Sequence, residues 1–344
     1  MGDIDYQNLN NILLIRIDQL GDLILTLPAV FALKKRLPKA SLSLVINAKN
    51  ISLVKGLPYI DRVIAVEPNR RSTIFQAVRD IRKNRYNIAI QLLPGNDPCG
   101  SFLAVASRAK YKIGYGVGFF SIFFSHRIKP CIPRYELENV MDIIKTVIPD
   151  LKFYGWGLDA NISSIAGIDG ILNKIGVNDS RNIIVIHPGV SRNSRNKMWP
   201  VERLVDLIRK IDNMFKVKIF IIGTDDEKKI TRKIKEEIES VFDLSGQLSL
   251  NELVALIKQS RLFIGSNSGP LQIAVALDIP TVSLMGPSLF QRWAPKGDRH
   301  IVIQKKADCI PCEGTGKKCS DNICMKMISV EEVYEAVKSQ VGKE

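Results

Sequence analysis

At 344 residues, 46% hydrophobic and 24% charged, the chain has ordinary globular usage at about twice a common domain length; this excludes a small module, a disordered or collagen-like chain and a disulfide-dense scaffold. Its formal net charge is +14, and the first 160 residues hold 22 Lys and Arg against 13 Asp and Glu. That half favours anionic company: nucleic acid, phospholipid headgroups or phosphorylated sugars.

The opening Met1-Gly2-Asp3-Ile4-Asp5 is acidic where a secretory signal is basic, and no apolar run approaches the roughly 18 residues that span a bilayer. A cytoplasmic location is expected. Short runs of Ile, Val and Leu then alternate with helical periodicity, the pattern of parallel strands joined by crossover helices. Ile12–Ile15 reads as a strand, Asp18–Gly21 as a turn and Leu23–Leu37 as a helix ending at Pro38. Strands follow at Ser41–Ile46, Arg62–Val66 and Ile88–Leu92, with a basic helix at Thr73–Asn84. Gly, Ser and Asn are dense from Gly155 to Gly170, which places a linker there.

The second half repeats the pattern. Strands are expected at Asn182–Ile186, Val217–Gly223, Leu262–Gly265 and, last, Thr281–Met285. Helices are expected at Val201–Asn213, Glu227–Ser240, Leu250–Gln259 and Gly269–Leu277. The reading is an α/β chain of two Rossmann-like domains, residues 1–160 and 170–328. A terminal helix, residues 329–342, is expected to pack back on the first domain.

Four places carry residues suited to chemistry. Asp22 follows the turn after the first strand, at the sheet edge where open α/β folds bind ligands; it reads either as a helix N-cap or as a general base. The loop from His187-Pro188-Gly189 to Lys197-Met198-Trp199-Pro200 offers Ser191, Ser194 and Lys197 to a phosphate, or else is a solvated loop anchored by Trp199. His187 is more simply a packed structural histidine. Gly265-Ser266-Asn267-Ser268-Gly269-Pro270 again joins strand to helix, where free N–H groups favour an anion. The spacing Cys309-x2-Cys312-x6-Cys319-x4-Cys324 can deliver four thiolates to structural zinc or iron; reduced thiols and redox-linked disulfides are the alternatives. Neither half holds a GxGxxG fingerprint or a P-loop.

Taken together, Ile12 to Pro28, His187-Pro-Gly with Lys197-Met-Trp-Pro200, Leu244-Ser-Gly246 with Leu250, and Ser268-Gly-Pro270 before Met285-Gly-Pro287 resemble glycosyltransferase family nine, which contains the ADP-heptose:lipopolysaccharide heptosyltransferases. The resemblance implies a GT-B architecture, two Rossmann-like domains facing across a cleft, with acceptor on the N-terminal side and nucleotide sugar on the C-terminal side. It implies an inverting, metal-independent transfer of heptose from ADP-heptose to a phosphorylated glycolipid acceptor, with peripheral contact to an anionic inner membrane; a nucleic-acid partner is not expected, because the basic residues are dispersed and lack interleaved aromatic residues. Asp22 then matches the base and Lys197 the diphosphate-binding lysine. Ser191, Gly223, Glu227, Leu248, Asn267, Ser268 and Gly269 complete the donor-binding set, Glu227 near the nucleoside hydroxyls. Cysteine clusters at this end of the chain recur in parts of the family, including a branch that binds iron there. The family's usual Asp-Ser-Gly-Pro-x-His reads here as Asn267-Ser268-Gly269-Pro270-Leu271-Gln272, exchanging a carboxylate and an imidazole for amides. That change leaves two alternatives open: another nucleotide-sugar donor, or a non-catalytic glycan-binding protein.

Overall fold

The computed structural model describes residues 4, 6–95, 97–129, 131, 133–177, 182–189, 196–312, 319 and 321–342. The chain divides into two compact units, Met1–Leu158 and Asp159–Glu344.

In the first unit β1 (Asn11–Arg16) is buried along nearly its whole length, as a central parallel strand requires. It turns into α1 (Leu20–Ile24) and α2 (Leu27–Arg36) where one helix was expected. The interruption has a local cause: Thr26 Oγ1 donates to the Asp22 carbonyl at 2.8 Å, and Pro28 in the first turn of α2 brings no N–H to continue the ladder. There follow β2 (Ser41–Asn47), α3 (Ile51–Val54), β3 (Arg62–Val66), α4 (Arg71–Arg82), β4 (Ile88–Gln91), α5 (Pro98–Ala106), β5 (Tyr111–Tyr115), β6 (His126–Ile128) and α6 (Glu136–Lys145). The strands form one parallel sheet in the order β3-β2-β1-β4-β5-β6. Leu13 and Ile15 of β1 pack with Ile81 of α4 and Leu103 of α5 in its core.

The second unit opens with α7 (Ile162–Lys174), capped by Asn161, whose side chain accepts from Ser164 N. A helix thus begins within the stretch expected as linker and takes its second part; Ile168 and Leu172, four apart on one face, are its buried anchors. Next come β7 (Ile183–His187), α8 (Val201–Met214), β8 (Lys218–Ile221), α9 (Lys228–Glu237), β9 (Phe242–Asp243), α10 (Leu250–Lys258), β10 (Leu262–Ser266), α11 (Gly269–Ala276), β11 (Thr281–Met285), α12 (Phe290–Trp293) and β12 (His300–Gln304), one strand beyond the expected last. Two final helices are α13 (Ile323–Lys326) and α14 (Val330–Val341). All strands are parallel, in the order β12-β11-β10-β7-β8-β9, which repeats the topology of the first unit.

The terminal helix, expected to pack back on the first domain, has partners in the second unit: α14 packs on α8 and β11. Its Val333, Val337 and Val341 join Ile208 and Ile211 in the second core, so the apolar stripe is satisfied locally. Trp199 is buried beside it and donates Nε1–H to the Ile328 carbonyl at 3.1 Å, the packing anchor that its loop needs.

In each sheet the strand order reverses once, between β1 and β4 and between β7 and β10. Open α/β sheets bind ligands outside the carboxyl ends of strands at such points. There the first sheet presents Arg16 and the turn to Asp22, the second His187 and the turn after β10.

Candidate active site

Arg16, the last residue of β1, is a fully buried cation, and burial of a charge demands partners. Its guanidinium spans the reversal point: Nη1 donates to the Leu92 carbonyl at 2.8 Å, Nε to Asp18 Oδ1 at 2.9 Å, and Nη2 to Glu136 Oε1 at 2.8 Å and Asp22 Oδ1 at 3.1 Å. One cation therefore holds three carboxylates. The side chains of Arg16 and Glu136 have no exposed surface, whereas Asp22 keeps 17% of its own, so Asp22 is anchored from within and open on one side.

The N-cap of α1 is Gln19, and Asp22 stands in the first turn inside it. The simple capping alternative is thereby set aside, although the positive helix end still favours a carboxylate there. Asp18 is the crowded member. Its Oδ2 is buried without a hydrogen-bond partner, and burial, with repulsion from Asp22, outweighs Arg16 and raises its carboxyl well above the usual range. The same three carboxylates hold Arg16 more firmly protonated than in water, against the cost of burial.

At the corresponding place in the second unit His187 is buried; its Nδ1 lies 3.1 Å from Ser268 Oγ and its Nε2 3.4 Å from Glu227 Oε1. The expectation of a packed histidine holds. Glu227 closes a capping box: its Oε2 accepts from Thr224 N at 2.7 Å and Thr224 Oγ1 at 2.9 Å. Burial pushes its carboxyl up, but the histidine and the Thr224 donors prevail and hold it below the usual range. Gly189 is required here, since a Cβ on it would stand 1.9 Å from Glu227 Oε1. Gly223 lies against the same carboxylate and accepts from Gly246 N at 2.8 Å.

Ser268 and Gly269 form the start of α11, and Asn267 Nδ2 donates to Ser288 Oγ at 3.0 Å. Gln272 is buried with its Oε1 unpaired, and its Nε2 lies 3.5 Å from the Trp293 carbonyl. Lys197 is half-buried just before Trp199, and Leu248 is half-buried before α10. Ser191 and Ser194 lie outside the described residues. Sequence spacing had not marked Arg16, Glu136, Ser288 or Gln304; the last donates to the carbonyls of Gly286 and Ser288 at 3.0 and 2.9 Å and so fixes the loop beside Asn267.

The four clustered cysteines lie between β12 and α14. Cys309, Cys312, Cys319 and Cys324 are free thiols, and among the described residues no group of three or more His, Cys, Asp or Glu side chains is placed to hold a metal ion. Cys312 donates to the Cys309 carbonyl at 2.9 Å, Cys319 accepts from Asn322 N at 3.3 Å, and Cys324 is buried on α13. Residues 313–318, between the second and third cysteines, lie outside the described residues. Burial and neighbouring sulfurs raise the thiols of Cys312 and Cys324. Among the described residues no helix is long and apolar enough to cross a membrane.

Comparison with known proteins places this arrangement. Lipopolysaccharide heptosyltransferase 1 of Campylobacter coli is 25% identical over 359 aligned positions, covering 97% of this chain and 99% of that protein. The crystal structure of a family 9 glycosyl transferase from Veillonella parvula superposes with a TM-score of 0.86 at 22% identity over the whole of both chains. The E. coli heptosyltransferase WaaC with ADP-2-deoxy-2-fluoro heptose gives 0.73 at 14% identity, covering 96% of this chain and 99% of that one. The shared fold is GT-B, two Rossmann-like units in one chain. The profile of glycosyltransferase family 9 (heptosyltransferase) matches residues 74–322, well over half of the chain, and the chain belongs to that family of glycosyltransferases.

Proposed function

We propose that the chain moves a heptose from ADP-heptose to a hydroxyl of lipopolysaccharide inner core or a related bacterial glycan, with inversion at the anomeric carbon. The observation that carries this reading is the Asp22 carboxylate, fixed by a buried arginine at the ligand-binding edge of the first sheet with one face open. The acceptor oxygen attacks the anomeric carbon, the bond to the diphosphate oxygen breaks, and Asp22 takes the hydroxyl proton. ADP leaves with added negative charge, which Lys197 and the N–H groups opening α11 stabilise; such preorganised electrostatics contributes several kcal/mol, roughly, to a barrier. Support for the donor comes from the relatives, among them WaaC with its bound heptose nucleotide analogue. The acceptor, a phosphorylated glycolipid, suits the excess of basic residues in the first 160.

Lys197→Ala is expected to weaken ADP binding about tenfold or more, the scale of one charge-assisted contact. Calorimetric titration of ADP into both proteins at fixed salt checks this, and equal affinities contradict it.

A different nucleotide-sugar donor is favoured by one observation: the amides Asn267 and Gln272 put no charge beneath the start of α11, and Gln272 Oε1 is left unpaired there. A thermal-shift panel of nucleotide sugars separates the readings, because a ligand of the native state raises the melting point with its affinity. ADP-heptose is expected to give the largest shift; a larger one from another nucleotide sugar favours the second reading.

A further inference from the structure

The connection from β5 to β6 carries an apolar surface that the transfer reaction does not use. It is a 3-10 turn, Phe119–Phe123, entered through Gly118 with φ +82. Ser121 Oγ donates to the Gly118 carbonyl at 2.7 Å and Phe124 N to the Ser121 carbonyl at 3.0 Å. Phe124 is buried in the core, and Phe120 packs on Phe102 of α5 with ring centroids 5.6 Å apart. With those two rings as anchors, the other three large apolar side chains are turned outward: Phe119 is 72% exposed, Ile122 54% and Phe123 51%. Three such side chains within five residues form a fixed apolar tip, unlike the singly scattered exposed residues of an ordinary surface.

The charge of this stretch of chain has one sign. From Pro98 to Tyr135 the chain contains no Asp or Glu but six Lys and Arg. Arg134 is taken up by Glu138 and Asp142 of α6. Arg108, Lys110, Arg127 and Lys129 are exposed, and Lys112 is half-buried with its Nζ on the Ala109 carbonyl. Ser125 ties the end of the turn to Lys112, its Oγ accepting from the backbone N at 2.9 Å and donating to the carbonyl at 3.0 Å. Lys112 therefore lies beside the end of the turn, Lys110 just before β5, and Arg127 and Lys129 follow the turn on and after β6. Because β1 and β5 run parallel in one sheet, this connection leaves the sheet edge that carries Asp22.

We propose that Phe119, Ile122 and Phe123, flanked by Lys110, Arg127 and Lys129, form the surface by which the first unit docks on an anionic phospholipid bilayer. Aromatic side chains favour the headgroup level of a membrane, and a five-residue turn reaches only that depth. A segment whose charged residues are all basic fits anionic headgroups, each charge strengthening attachment about fivefold. The proposal deepens the reading of a glycolipid acceptor and rests on it for its biological sense.

The full chain is mixed with vesicles of phosphatidylglycerol and phosphatidylethanolamine, or of phosphatidylcholine alone, and sedimented. Binding is expected to the anionic vesicles and to fall with salt. Phe119→Ser with Phe123→Ser, and separately Arg127→Glu with Lys129→Glu, are each expected to lower binding about tenfold or more with melting points unchanged, since all four side chains are exposed. Absence of binding by the parent, or variants that bind as it does, overturns the proposal. So does a parent that sediments as a dimer which the Phe119→Ser/Phe123→Ser variant dissolves, for the tip is then a self-association surface. The vesicles contain no acceptor, so this result and the outcome of sugar transfer to a soluble acceptor are independent.

Discussion

Asp22→Ala is expected to lower turnover about 10²-fold or more, the scale of a general base, while ADP affinity stays within about twofold. Three facts argue for so large an effect from one carboxylate. Arg16 fixes one of its oxygens, the side chain retains open surface where Arg16 and Glu136 have none, and Gln19, another residue, holds the N-cap position of α1. Loss of a helix cap costs about 1 kcal/mol of stability and leaves chemistry alone. Loss of a base does the reverse. Rates measured with saturating donor, beside melting curves of both proteins, separate the two; near-normal turnover in a destabilised variant contradicts the assignment.

Arg16→Leu is expected to destabilise the first unit by about 3–5 kcal/mol, because removing one partner from a buried charge cluster strands the others. Glu136, with no exposed side-chain surface, and Asp22 lose their cation, and Asp18 loses the donor to its Oδ1. Denaturant melts of the two proteins check it; a cost under about 1 kcal/mol contradicts it. Asp18→Asn gives the opposite pH trend from an ordinary paired aspartate. Since the folded chain raises the Asp18 pKa, the native state binds that proton more tightly than the unfolded chain does. Its contribution to stability therefore declines as pH rises from the ordinary aspartate value of about 3.9 toward the raised one. The variant lacks this decline, so melts between pH 5 and 8 should show Asp18→Asn gaining on the parent as pH rises.

Much of this fold is written in local patterns. The central strands β1, β2, β4, β7, β10 and β11 are apolar runs buried on both faces, and such runs stand out in a sequence. β5 and β6 did not, because Lys112 and Gly114 interrupt the first and the second has only three residues. β12 lies at a sheet edge with every residue only partly buried, and the Ser and Gly of α7 disguised a helix as a linker. The direction of α14 was decided by packing against α8, which periodicity cannot register. Within the site, Asp22 was legible from its place after a strand. Its support was not: Glu136 is 120 positions from Arg16, and only the fold brings them together. Arg16 itself left a trace, a charge ending an otherwise apolar strand. The cysteine spacing marked one local cluster, and burial, with the nearby sulfurs of Cys309, Cys312 and Cys319, raises the thiol of Cys324.

Heptose transfer from ADP-heptose is decided by incubating the purified chain with ADP-heptose and a soluble, deacylated inner-core acceptor. The outcome is read by mass spectrometry of the acceptor and by ADP release. An acceptor heavier by one heptose with an equal amount of ADP is expected, and neither product with Asp22→Ala beyond about one per cent of the parent rate. An unchanged acceptor and no ADP release, from protein that binds ADP and transfers sugar from another nucleotide donor, would contradict it.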